Sequence, residues 1–150
     1  MNSSMIRVIL GHVLRIEAAL LLLPCLVAVI YRESVGWKYL FVVALCAIVG
    51  SAMSMIKKPQ DTSIFLRDGC VATAASWVVL SLFGAMPFTL TGEIPSYLDA
   101  LFETMSGFTT TGASILDEIE ALSYTSLFWR SFTHWIGGMG VLVFLLAIIP

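Results

Sequence analysis

Four stretches of this chain are apolar for about the thickness of a bilayer's hydrocarbon core, and that limits what it can fold into. They run from about Val8 to Tyr31, Tyr39 to Ile56, Cys70 to Leu90 and Leu127 to Ile149. A helix needs roughly 20 predominantly apolar residues to cross. A soluble bundle needs a polar face on each helix, and these segments mostly lack one. Only 12% of the residues are charged, against about 25% in soluble domains. The chain therefore reads as an all-α integral membrane protein. Its net charge of −2 and the lack of a basic patch exclude a nucleic-acid partner. Cys25, Cys46 and Cys70 stand far apart with no CxxC spacing, so they read as small packed residues rather than a zinc site or disulfide framework. Arg7 and the run Ala18 to Ile30 imitate a signal peptide, but no A-x-A-like cleavage site follows, and the segment reads as a retained helix.

Between the third and fourth stretches lies a different segment, Pro95 to Glu120. Its apolar part, Tyr97 to Met105, is too short to span. Leu98, Leu101, Phe102 and Met105 follow helical spacing, and Ser96 after Pro95 supplies an N-cap. The basic residues set the orientation. Arg7 precedes the first span and Lys57, Lys58 and Arg67 join the second to the third, whereas Thr91 to Tyr97 holds none. The positive-inside rule places the N-terminus in the cytoplasm, with Arg32 and Lys38 in the opposite loop as a weaker contrary signal beside Glu33. Asp117, Glu118 and Glu120 are then extracellular, so the short helix leaves the outer surface and must return to it. The expected architecture is four transmembrane helices plus one re-entrant helix and loop. The end at Ile148-Ile149-Pro150, without a basic flank, suggests a fragment of a longer chain.

The re-entrant part reads Met105-Ser-Gly-Phe-Thr-Thr-Thr-Gly-Ala-Ser114. Non-helical backbone at membrane depth is tolerated only when protein buries it or a water-filled cavity faces it. The helix before it directs its partially negative C-terminal end at the loop. Carbonyls and threonine hydroxyls add further acceptors. No carboxylate lies within Ser106 to Ser114. Such a set suits a dehydrated monovalent cation, whose water shell carbonyls replace. Gly112 can take φ > 0 and aim successive carbonyls to one side, and Gly107 can end the helix or turn the chain. The run alone is equally a plain loop or a helix cap. A phosphate loop is excluded, because GxxxxGK[ST] is absent. Its position between two spans, after an undersized helix, favours a pore loop.

The order of these parts, with FETMSGFTTTGAS followed by an acidic loop and WRSFTHWIGGMG, resembles the membrane subunit of bacterial Trk/Ktr potassium transporters, most of all the TrkH branch. In that family four helix–pore-loop–helix repeats surround one pore, and each contributes a filter strand. The resemblance implies that Thr109, Thr110, Thr111 and Gly112 form the first strand, with K+ at Thr110, Thr111 and Gly112 and support from Gly107, Glu103 and Arg130. It implies that residues 1–58 are an added N-terminal helix pair and residues 59–150 the first repeat. It further implies a homodimer, a cytosolic nucleotide-binding regulatory subunit of the TrkA/KtrA kind, the bacterial plasma (inner) membrane, and no cofactor beyond the transported ion. One strand does not ring an ion, so conduction would need the other repeats.

Other polar residues enter the spans. Arg130 and His134 share a face of the fourth and either anchor it or support the pore. Gly137, Gly138 and Gly140 suit close helix packing or a hinge. His12, Arg15 and Glu17 enter the first span, where Glu17 pairs with a neighbouring helix or with a part not present. Asp99 and Glu103 either gather cations at the outer mouth or are hydrogen-bonded at the base of the short helix. An embedded enzyme would need paired acids or a Ser/His or metal set, and the sequence offers none. A non-conducting scaffold is the competing class, and K+ against Na+ stays open because threonine and glycine carbonyls serve both.

Overall fold

A computed structural model describes residues 3–56 and 66–148; Lys57, Lys58 and the expected division between residues 58 and 59 lie outside the described residues. Regular structure in that range is helical: α1 (Ser3–Leu20), α2 (Leu22–Tyr31), α3 (Gly36–Met55), α4 (Leu66–Thr91), α5 (Tyr97–Phe108) and α6 (Tyr124–Ile148), with a 3₁₀ turn at Ile119–Ala121. Among the described residues three stretches, Ser3–Tyr31, Gly36–Met55 and Arg67–Thr91, are long and apolar enough to cross a membrane. α6 has 25 residues, about 37 Å at 1.5 Å per residue. Helices α3, α4 and α6 start three or four residues before the apolar runs do.

The first apolar stretch is two helices rather than one. Pro24 has no N–H to give the carbonyl of Leu20, and its ring crowds that carbonyl. The helix breaks at Leu21, whose own N–H still reaches the Glu17 carbonyl at 2.8 Å. α1 lies against α3 and α4, α2 against α3 and α6, and α5 is held between α4 and α6. Side chains from all these elements meet in one cluster that includes Leu14, Tyr39, Val42, Phe88, Phe108 and Trp129.

The α1–α3 crossing is unusually close. A Cβ at Gly50 would stand 2.7 Å from the Gly11 carbonyl oxygen. Lipid tails are as apolar as the side chains, so helices in a bilayer gain from such close packing rather than from escaping water.

The start of α6 is fixed by two glutamates from distant loops. Arg32 ends α2 with a left-handed φ of 56°, and the Glu33 N–H returns to the Ala28 carbonyl at 2.9 Å. This turn presents the Glu33 carboxylate to α6, where it accepts the N–H groups of Tyr124 and Thr125 at 3.0 Å each and the Thr125 hydroxyl. Glu93 accepts the Ser123 N–H and the Ser126 hydroxyl. Both carboxylates face N–H groups that a helix leaves unpaired and the positive end of its dipole. Partial burial raises the Glu33 carboxyl, but the bonds from Thr125 and Tyr124 outweigh it and hold the group below its ordinary value of 4.5.

Gly50→Ala should destabilise the protein by about 1–3 kcal/mol because backbone stands in the way. Gly69→Ala, with nothing within 4 Å, should be neutral or stabilising by about 0.5–1 kcal/mol; thermal unfolding of both in detergent checks the contrast. A carboxyl lowered on folding adds stability above its unfolded pKa, and that stability is lost as pH falls through the folded value. The thermal midpoint of the parent should therefore drop towards that of Glu33→Gln as pH falls below about 4.5. A gap between the two that stays constant through this window would show that the cap is not ionic.

Candidate functional site

Helix α5 begins as the sequence indicates. Ser96 is the N-cap, its hydroxyl accepting the Asp99 N–H at 3.4 Å. Of the apolar stripe, however, only Leu101 packs against the core. Leu98, Phe102 and Met105 are exposed, whereas Ala100, Glu103, Thr104, Ser106, Gly107 and Phe108 are buried. The small and polar face is the one packed between α4 and α6.

Gly107 neither ends the helix nor turns the chain. It lies in the last turn, and a Cβ there would stand 2.2 Å from the Thr133 hydroxyl of α6. Gly137 of α6 makes the matching approach, with its Cβ position 2.2 Å from the Phe108 carbonyl oxygen. Gly140 faces Trp77 and Gly138 faces open space, so the three glycines of α6 do not form one contact.

The turn after α5 is made by Thr110. The Thr110 N–H reaches the Gly107 carbonyl and the Thr111 N–H the Ser106 carbonyl, both at 2.9 Å. This pair of bonds is the Schellman closure, which usually places glycine at the left-handed position. Here Thr110 occupies it with φ 57°, a rare state for a β-branched residue that costs about 1–3 kcal/mol. Gly112 follows at φ 77°, as its place in the sequence leads one to expect.

Both ends of the loop are tied, and in its middle the N–H groups are bonded but the carbonyls are not. The Ser106 hydroxyl donates to the Ala113 carbonyl at 2.6 Å. The Thr109 hydroxyl bonds the Met105 carbonyl at 2.7 Å and the Thr111 hydroxyl at 2.8 Å, and the Thr110 hydroxyl donates to the Thr109 carbonyl. Among the described residues nothing donates to the carbonyls of Thr110, Thr111 and Gly112. Residues 109–115 are exposed on the open side of the chain.

Glu103 secures the returning limb from behind. It is 1% exposed and accepts the Ser114 hydroxyl at 3.0 Å and the Ile115 N–H at 3.1 Å. Its countercharge is Arg130 of α6, whose Nε lies 2.5 Å from Oε1. The carboxylate is therefore shared between the returning limb and a neutralising cation. His134 is bonded through Nδ1 to the Arg130 carbonyl at 2.9 Å, and the described residues hold no cluster of metal-ligating side chains. Ser106, Ser114 and Thr133 belong to this assembly and were not singled out by the sequence. The serines at the two ends of the threonine run were the available signal. Chemically, the arrangement offers three unclaimed carbonyl oxygens without a net charge beside them.

The model of the TrkH family, described as cation transport proteins, matches residues 39–150. An uncharacterized cation transporter of Methanocaldococcus jannaschii is 38% identical over 135 residues, covering 90% of this chain and 28% of that protein. The Trk system potassium uptake protein TrkH of Halomonas elongata is 37% identical over 153 residues, covering 100% and 31%. The crystal structure of the potassium transporter TrkH from Vibrio parahaemolyticus superposes with a TM-score of 0.92 at 32% identity, covering 100% of this chain and 32% of that one. The chain thus spans about a third of the length of the proteins it matches.

Arg130→Met leaves Glu103 buried without a countercharge. Loss of one partner of such a pair costs about 3–5 kcal/mol, and the 14% exposure of the arginine side chain favours the lower end. Thermal unfolding of the variant in detergent checks this; a midpoint equal to the parent's would mean the pair holds nothing in place.

Proposed function

Because the chain belongs to the TrkH family of cation transport proteins, we propose that it forms the first quarter of a potassium-translocating pore. In this reading α5 is the pore helix and Thr109, Thr110, Thr111 and Gly112 are one filter strand, with K+ held at Thr110, Thr111 and Gly112. The observation that carries it is the set of three carbonyls left unclaimed at the C-terminal end of a packed short helix. The helix end adds partial negative charge, and the Glu103–Arg130 pair keeps a full charge away. Carbonyls in that setting replace a hydration shell without binding the ion too tightly to release it. Gly107, Glu103 and Arg130 hold the strand rather than touch the ion.

The reading extends to the whole subunit. Residues 1–58 are the N-terminal helix pair and residues 59–150 the first repeat. Three further strands complete the ring, and the subunit works in the bacterial inner membrane as a homodimer with a cytosolic nucleotide-binding regulator and with its N-terminus in the cytoplasm. The names of the relatives, potassium uptake proteins in Halomonas elongata and Escherichia coli, favour K+ over Na+. A transport role also places the chain outside enzyme chemistry.

The test is rubidium uptake in cells that lack their own potassium uptake systems. The reading frame extended to the length of its relatives should restore uptake. Gly112→Ser puts a side chain at φ 77°, a strain of about 1–2 kcal/mol, and should reduce rate or Rb+-over-Na+ discrimination by about 5–30-fold. Restored uptake that ignores Gly112→Ser would sink the filter assignment, and well-expressed protein without uptake would point to a scaffold.

A further inference from the structure

Glu17 of α1 lies outside the site described so far. It is 1% exposed, and neither carboxyl oxygen has a hydrogen-bond partner among the described residues. Its Oε1 stands 3.1 Å from the place a Cβ would take on Gly84 of α4. The same point is 3.0 Å from the Thr104 methyl and 3.2 Å from the Phe108 ring, both on α5. Glu17 therefore meets α4 and the back of α5 at a single notch, and it is enclosed by helices of this chain.

What could satisfy the carboxyl is limited. The Gly84 carbonyl is taken by the Trp129 Nε1–H of α6 at 2.9 Å. From α3 the titratable group within electrostatic reach is the Cys46 thiol. At the Gly84 notch of α4, the groups of α5 that stand beside it are the Thr104 methyl and the Phe108 ring. Arg15, on α1 itself, is exposed, and the ion pair found among the described residues joins Arg130 to Glu103 instead. A buried carboxyl with no countercharge among the described residues favours its neutral form, which has a proton to donate. An acceptor is available next door. Pro87 sits inside α4 and has no N–H for the carbonyl four residues back. That residue is Phe83, the neighbour of Gly84.

We propose that Glu17 is a positioning residue for the pore loop, a neutral acid whose O–H is donated to the Phe83 carbonyl and so pins α1 to α4 behind the pore helix. The proposal rests on the reading of α5 as a pore helix. The bond sets the α1–α4 spacing at Gly84, and Thr104 and Phe108 of α5 rest against that spacing. A residue of the N-terminal pair thereby governs the seat of a strand it never touches.

The experiment uses the full-length protein with Glu17→Gln and Glu17→Ala. Infrared spectra should show a protonated-carboxyl C=O band at neutral pH that both substitutions remove. Glutamine keeps an N–H donor for the same carbonyl, so Glu17→Gln should retain the parent's thermal midpoint and ion discrimination. Glu17→Ala should lower the midpoint by about 2–4 °C and Rb+-over-Na+ discrimination by about fivefold. A missing band, a glutamine variant as damaged as alanine, or an alanine variant with unaltered discrimination each overturns the proposal. The band and the midpoints are read without transport, so their failure is distinct from failure of the pore reading, which shows as uptake insensitive to Gly112→Ser.

Discussion

The bond between Glu103 and Arg130 is the contact on which the rest of the site depends. It joins α5 to α6, and the same carboxylate holds Ser114 and Ile115 of the returning limb. An ion pair removed from water repays its desolvation only when its geometry is good and its other lone pairs are also bonded. Here the second requirement is met by the limb itself. Remove either partner and the short helix, the limb and α6 lose their common anchor. The glycines at 107 and 137 serve the same end, since they let α5 and α6 approach until Thr133 and the Phe108 backbone meet them.

Packing in this chain puts the polar and small residues inside. On α5 the buried face carries Glu103, Thr104, Ser106 and Gly107, while Leu98, Phe102 and Met105 look outward. In water this would be unstable. In a bilayer an outward apolar face is not penalised, and buried polar groups are secured by hydrogen bonds within the bundle. The α6 N-terminus follows a related logic, with Glu33 and Glu93 meeting N–H groups that the helix leaves without a partner of its own.

Much of this was legible in the sequence. Length and apolarity give the four main helices, the short helix follows from its spacing and Ser96, and the left-handed Gly112 follows from the need for φ > 0. The break at Leu21 was also available, because Pro24 forbids the bond to Leu20. Other features were not readable, for physical reasons. Glu33 caps a helix 91 residues away, and nothing local marks that proximity. The left-handed turn falls on Thr110, where intrinsic preference would put Gly107 or Gly112, because the Schellman bonds of α5 override that preference. The periodicity of Leu98, Leu101, Phe102 and Met105 identifies a helix but not which side is buried, since apolar residues face lipid as readily as core.

The ties of the threonine loop have a consequence for the order in which the protein is made. Ser106 bonds Ala113, Glu103 bonds Ser114 and Ile115, and the most distant partner is Arg130. The hydrogen bonds and the ion pair that tie the loop are all encoded within a short stretch of chain. The loop can therefore acquire its form as soon as α6 is in place. On the pore reading, a further strand would meet a finished edge, and assembly would be the docking of preformed parts rather than the simultaneous ordering of a ring.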